Sequence, residues 1–184
     1  MDKPTENNGG ASNFTSSEPS TWPAPLVAPP ATLTDFDFLV GAWRVKHHRL
    51  VGRLVGSTTW EDFEGECRLW PIIGGHGNVD DNVLHAPKGT YRAATLRLFD
   101  AERRTWSIYW LDSRALGIDT PMVGGFDGDR GFFYADEIQE GQAITCRFLW
   151  FVDDADHCRW EQAFTTDGGS TWETNWQMWL ERTA

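Results

Sequence analysis

The sequence has no run approaching the roughly 20 apolar residues of a membrane-crossing helix, which excludes a helical span. It has little positive charge: 16 Lys and Arg stand against 27 Asp and Glu, for a formal net charge of -11, and no basic cluster interrupts that balance. A phosphate backbone or an anionic bilayer would be repelled, so neither nucleic acid nor membrane is expected as a partner. Cysteine is scarce too. Cys67, Cys146 and Cys158 are odd in number and lack the close paired spacing of a metal knuckle or a redox dithiol, so no metal is expected. Reduced thiols fit a cytoplasmic location, as does a start without the charged, apolar and small-residue segments of a secretory signal. Catalytic signatures are missing as well: there is no G-x-S-x-G elbow, H-E-x-x-H, phosphate loop or dinucleotide fingerprint. Any enzymatic role has to rest on cavity chemistry alone.

What the chain does have is tryptophan, 11 residues against 3 Tyr and 3 Met. Each indole buries a large area yet carries an N–H that needs an acceptor, which suits a lined cavity as well as a solid core. A length of 184 residues allows one well-buried domain. Residues 1–31 are rich in Pro, Ser, Thr, Asn and Gly without apolar period and read as a disordered arm, in which Trp22 and Leu26-Val27 could dock. The ordered domain is expected over 32–184.

It opens on TLTDFDFLVGAW, where Thr34 and Asp37 suggest a capping box and Gly41 a stop, so a short helical turn is expected. From Trp43 the period becomes two, with Trp43, Val45 and His47 alternating against Arg44, Lys46 and His48. Hairpin punctuation then recurs at FDAERRTW, FDGDRGFF, DEIQEGQ, DDADH and TTDGGSTW. In the last of these, Asp167 is positioned to satisfy turn N–H groups while glycines supply positive φ. About eight to ten antiparallel strands in sequence, with no long helical window, imply an all-β up-and-down barrel that closes to remove its edges.

Gly41-Ala42-Trp43 at the start of the first strand resembles the G-x-W signature of lipocalins and other calycins. The resemblance implies that Trp43 closes one barrel end with Arg182 of the last strand across it. The run through GNVDDNV, YRAATLRLFD, TWSIYWLDSR and WEQAFTTDGGSTWETNW resembles a bacterial lipocalin-like family of unknown function over nearly all of residues 33–183. It implies a calycin-type barrel able to hold one small ligand. Nitrobindin, similar in shape, binds haem through a late histidine. The late histidine here, His157, falls in the turn-like DDADHC, so no cofactor is expected.

A four-residue AERR turn sets Phe99 opposite Trp106, Arg97 opposite Ile108, Thr95 opposite Trp110 and Ala93 opposite Asp112. One face then carries Arg97, Trp106, Trp110, Asp112 and Arg114; the other carries Ala94, Leu96, Leu98, Ser107, Tyr109 and Leu111. The first face is expected inside, because two Trp on one strand are costly to leave in water. If it points outward, Tyr109 and Leu111 line the interior. Asn78, Asp80 and Asn82 alternate along another strand, a pattern that usually marks a solvated face and otherwise a polar cavity wall. His47 shares the Trp43 face and reads as hydrogen-bonded core or as a catalytic group. The last hairpin brings Glu161, Gln162, Asn175 and Trp176 close together without fixing which of Glu161 and Gln162 faces inward. Cys146, with Ile144, Phe148 and Trp150, reads as core.

Three functions follow. The first is a barrel binding a small, partly apolar, aromatic or acidic molecule through Trp43, Asn78, Asp80, Arg97, Trp106, Trp110, Arg114 and Trp176. The second is a lipocalin-like isomerase, cyclase or lyase with Asp112, Glu161 or His47 as acid/base groups. An Asp locked in a bidentate pair would be a poor proton carrier, which makes the Asp112–Arg114 geometry decisive. The third is a protein-interaction module around a solid barrel; a homodimer is compatible with any of the three.

Overall fold

A computed structural model describes residues 27–115 and 117–184. Most of the expected arm, residues 1–26 with Trp22 and Leu26, lies outside the described residues. The chain forms ten strands: β1 Gly41–Leu50, β2 Trp60–Ile72, β3 Gly77–Ala86, β4 Gly89–Asp100, β5 Thr105–Asp112, β6 Met122–Asp127, β7 Arg130–Gln139, β8 Gln142–Val152, β9 His157–Thr165 and β10 Glu173–Arg182. Each pairs antiparallel with its sequence neighbour, and β10 pairs with β1, so the sheet closes without an edge. The expected all-β up-and-down barrel is the fold.

Local chemistry explains the joints. At the β9–β10 turn, Asp167 accepts from Thr171 N at 2.9 Å and Thr171 Oγ1 at 2.7 Å, while Gly168 and Gly169 adopt positive φ of 68° and 91°. Those bonds hold the Asp167 carboxyl down at about 2. The β4–β5 register has Ala93 on Asp112, Thr95 on Trp110, Arg97 on Ile108 and Phe99 on Trp106, as the AERR turn requires.

One end is plugged. A 3-10 turn at Asp37–Leu39 precedes β1, but its approach is fixed by Thr32 and Asp35 rather than by Thr34 and Asp37: Thr32 N and Thr32 Oγ1 both donate to the Asp35 carboxylate. Phe36, 1% exposed, fills the centre of this plug, with Trp106 and Phe126 edge-on at 5.2 Å and Trp150 at 6.1 Å. Trp43 Nε1 donates to Leu39 O at 2.9 Å, and the Arg182 guanidinium lies 4.2 Å from the Trp43 ring while donating to Val40 O and Phe38 O, each at 2.6 Å. Gly41 has φ 130°, and a Cβ there would stand 2.6 Å from Arg182 Nη1. The glycine of G-x-W therefore clears the space that its arginine clamp occupies.

The wall is thinnest between β5 and β6. Only Trp106, Ser107 and Ile108 find partners there, so the far half of β5 pairs with β4 alone.

Candidate functional site

Alternation along the strands sends one residue in two into the barrel, and the inward set encloses a cavity of about 340 Å³. That volume suits one small ligand. Its apolar lining includes Trp110, Phe148, Trp160, Phe164, Trp176 and Met178. Trp160 and Trp110 both meet Trp176 edge to face, at 5.7 and 6.1 Å, forming a connected aromatic wall.

Toward the plug the lining turns polar. Asp80 and Arg97, 2% and 3% exposed, pair at 2.8 Å, and Arg97 Nη1 also donates to Asn78 Oδ1 at 3.1 Å. Asp80 further accepts from Thr95 N at 2.7 Å and from the Asn82 amide. Such a pair is stable when its remaining hydrogen-bonding groups are satisfied, and Asp80 is saturated. Arg97 is not: among the described residues its Nε has no acceptor, and neither has Nε1 of Trp150. The Asn78, Asp80 and Asn82 face thus points inward, and the solvated reading is corrected. The β3 alternation alone could not reveal this, since Arg97 on β4 is what makes burial of the acid tolerable.

At the open end three arginines line the cavity. Arg49 is neutralised by Glu61 at 2.6 Å and donates to Tyr91 Oη at 3.0 Å. Arg114 grips Asp112 through Nε at 2.9 Å and Nη2 at 2.6 Å, and stacks 3.5 Å from the Tyr91 ring centroid. Arg53 makes no hydrogen bond or ion pair with the described residues; its guanidinium lies over Phe164 and Trp176 at 5.6 and 5.9 Å. The loop carrying it is tied down by Leu54 N donating to Glu173 Oε1 at 2.8 Å. Burial, and then repulsion from Arg49, lower the Arg53 pKa, the signature of a cation lacking close compensation. Across the mouth, burial and the nearby Asp119 raise the Glu137 pKa, while Arg53 pulls it down.

The barrel fold has a counterpart among solved structures. The S-type phycobiliprotein lyase of Guillardia theta matches at a TM-score of 0.56 and 9% identity, over 81% of this chain and 90% of that one. The fold is lipocalin-like. No protein-family model and no curated protein matches the sequence.

Within this lipocalin-like barrel the anticipated site residues separate into three groups. Trp110, Asp112, Arg114, Asp80, Arg97, His47 and Trp176 line the cavity. Trp43 and Trp106 belong to the plug, where Trp106 Nε1 donates to Thr32 O at 2.8 Å, and Asn78 stands behind Arg97. Glu161 lies on the other face of β9, because Trp160, Gln162 and Phe164 are the residues turned inward. It is buried outside the cavity against Arg147 at 3.4 Å, Thr174 at 3.2 Å and Gln177 at 3.1 Å. The unbroken β8–β9 register, with Gln162 opposite the cavity-lining Phe148 and Glu161 opposite Leu149, sets that parity, while a bulge at Asn175 shifts β10.

The two other acid/base candidates are also constrained. His47 accepts from Trp176 Nε1 at 3.2 Å through Nδ1 and stacks on Phe63 at 4.5 Å. Burial, reinforced by Arg49, pushes its pKa down to about 3, so it is a neutral core histidine. Burial pushes the Asp112 carboxyl upward, yet the bonds from Arg114 outweigh this and its pKa is lowered. The three cysteines are buried and free, with thiols pushed up by burial, Cys158 to about 12. His157 is exposed and held by Asp154 at 2.9 Å. Among the described residues no three His, Cys, Asp or Glu gather into a metal site, and no helix is long and apolar enough to cross a membrane.

Sequence reasoning missed Arg49, Arg53 and the N–H of Trp150, which has no acceptor among the described residues. Arg49 was within reach, two residues beyond His47 on the same alternating face. Arg53 sits in a loop, where no period speaks.

Proposed function

We propose that the barrel binds a small aromatic carboxylic acid, with the carboxylate on Arg53 at the mouth and the apolar body against Trp110, Trp160 and Trp176. The observation that carries this reading is the difference among the cavity arginines. Arg49, Arg97 and Arg114 each have a carboxylate within 2.8 Å, whereas Arg53 has none at ion-pair distance among the described residues. A half-buried cation over aromatic rings gains from an incoming anion, and the apolar walls limit competing water.

The lyase activity named for the Guillardia theta structure does not transfer at 9% identity. The acid/base groups the enzymatic reading needed are otherwise engaged: Asp112 by a bidentate arginine, Glu161 outside the cavity, and His47 as a neutral acceptor. Binding without turnover is the better-supported function.

The test is calorimetric titration of the full chain with 4-(4-acetylphenyl)butanoate and its methyl ester. The acid should bind the native protein at least tenfold tighter than the ester, on the order of 1.5–3 kcal/mol for a charge-assisted hydrogen bond. In Arg53→Met that preference should disappear while the ester keeps its affinity. Equal binding of acid and ester by the native protein would remove Arg53 as the anion seat.

A further inference from the structure

Resting on that reading, we infer that the cavity has a second polar subsite at its floor, where Arg97 Nε and Trp150 Nε1 together receive an uncharged acceptor oxygen of the same ligand. Both side chains line the cavity, both are more than nine-tenths buried, and both carry an N–H with no acceptor among the described residues. They are neighbours: the Arg97 guanidinium carbon is 6.0 Å from the Trp150 ring and 5.2 Å from that of Phe36, and Phe36 is the plug. A buried donor without an acceptor is unfavourable, so two on neighbouring side chains of the cavity lining favour a ligand that brings the missing oxygen.

Charge selects the kind of oxygen. Arg97 is already neutralised by Asp80, whose own oxygens are taken by Thr95 N, Asn82 and Arg97. A second carboxylate at the floor would crowd the buried Asp80, and an ammonium would face Arg97. A ketone, amide carbonyl or ether oxygen matches two N–H donors without adding charge. With Arg53 at the mouth, the ligand is therefore polar at both ends: a carboxylate outward, an aromatic middle, and a neutral acceptor inward. The polarity also fixes its direction in the barrel.

Two probes of near-identical shape separate this subsite from the anion seat. 4-(4-Acetylphenyl)butanoate carries a terminal ketone where 4-(4-isopropylphenyl)butanoate carries a methyl. By calorimetry the ketone should bind the native chain roughly tenfold or more tightly, because only it satisfies the floor donors. Trp150→Phe, which keeps the ring and removes the N–H, should reduce that ratio to about threefold or less, leaving the isopropyl probe's affinity nearly unchanged. A second readout needs no variant: in ¹H–¹⁵N spectra, one indole N–H should move downfield with the ketone and stay in place with the isopropyl probe. Equal affinities with no such shift overturn the floor subsite while leaving the anion seat intact. Failure of both probes to bind overturns the floor subsite and the cavity reading together.

Discussion

His47 shows how one inward side chain can be read correctly for position and still mislead about chemistry. Its alternation with Trp43 and Val45 sends it inward, but the barrel makes it a neutral acceptor for Trp176 Nε1. Its folded pKa is lowered, from 6.5 to about 3, so the unfolded chain binds a proton that the folded chain refuses. Stability is then complete above about pH 6.5 and falls as pH drops toward about 3, by on the order of 4 kcal/mol if His47 acted alone. His47→Gln keeps an acceptor for Trp176 and removes the titration. Urea melts from pH 7 to pH 4 should show the native protein losing stability more steeply than His47→Gln, and parallel profiles would exclude His47 as the acid-sensitive group. The same scale explains why Arg53 was invisible in the sequence: the role proposed for it rests on the lack of a carboxylate at ion-pair distance among the described residues, a feature of the folded arrangement alone. Glu161 was ambiguous for a different reason, since an irregular turn and a bulge at Asn175 hide the register of the last hairpin, and it is the pairing of β9 with β8 that turns Gln162 inward.

At the scale of elements, the hairpins were legible because turn chemistry and period agree. AERR fixes the β4–β5 register to the residue, and that register delivers Trp110 and Asp112 to the cavity. The segment before β1 was harder to read, because it has no period and is shaped by what it covers. Ala31, 1% exposed, donates its N–H to Arg104 O at 2.7 Å, and its neighbour Pro29 crosses Gly125 of β6. A Cβ at Gly125 would meet Pro29 O at 2.7 Å and the Ala31 Cα at 2.9 Å, so glycine permits the segment to lie flat on the strand. Gly125→Val should lift it, destabilising the protein by about 1–3 kcal/mol. Hydrogen exchange at Ala31 should accelerate by tenfold or more while the Trp43 amide keeps its protection. Unchanged exchange at Ala31 would mean that the plug is held by Phe36 and the Arg182 clamp without this contact.

For the whole molecule, closure was readable from ten short strands in sequence with tight turns, because a meander of that length must curl and join its own edges. What closure creates is a contrast of charge: a protein of net -11 whose cavity mouth holds an arginine with no carboxylate at ion-pair distance among the described residues. An anionic ligand is repelled at a distance and attracted only on arrival. Those two fields differ in range, so salt should separate them. Raising ionic strength from about 0.01 M to about 0.15 M shortens the screening length from about 30 Å to about 8 Å, which removes most of the distant repulsion. The contact at Arg53 is short-range and partly shielded from solvent, so it is screened far less. In stopped-flow tryptophan fluorescence, the association rate of 4-(4-acetylphenyl)butanoate should therefore rise with salt while its dissociation rate changes little. A basic binding surface gives the opposite slope, with association slowing as steering is screened. A falling association rate would show that Arg49, Arg53 and Arg114 together steer the anion from a distance, and that the net charge does not govern the approach.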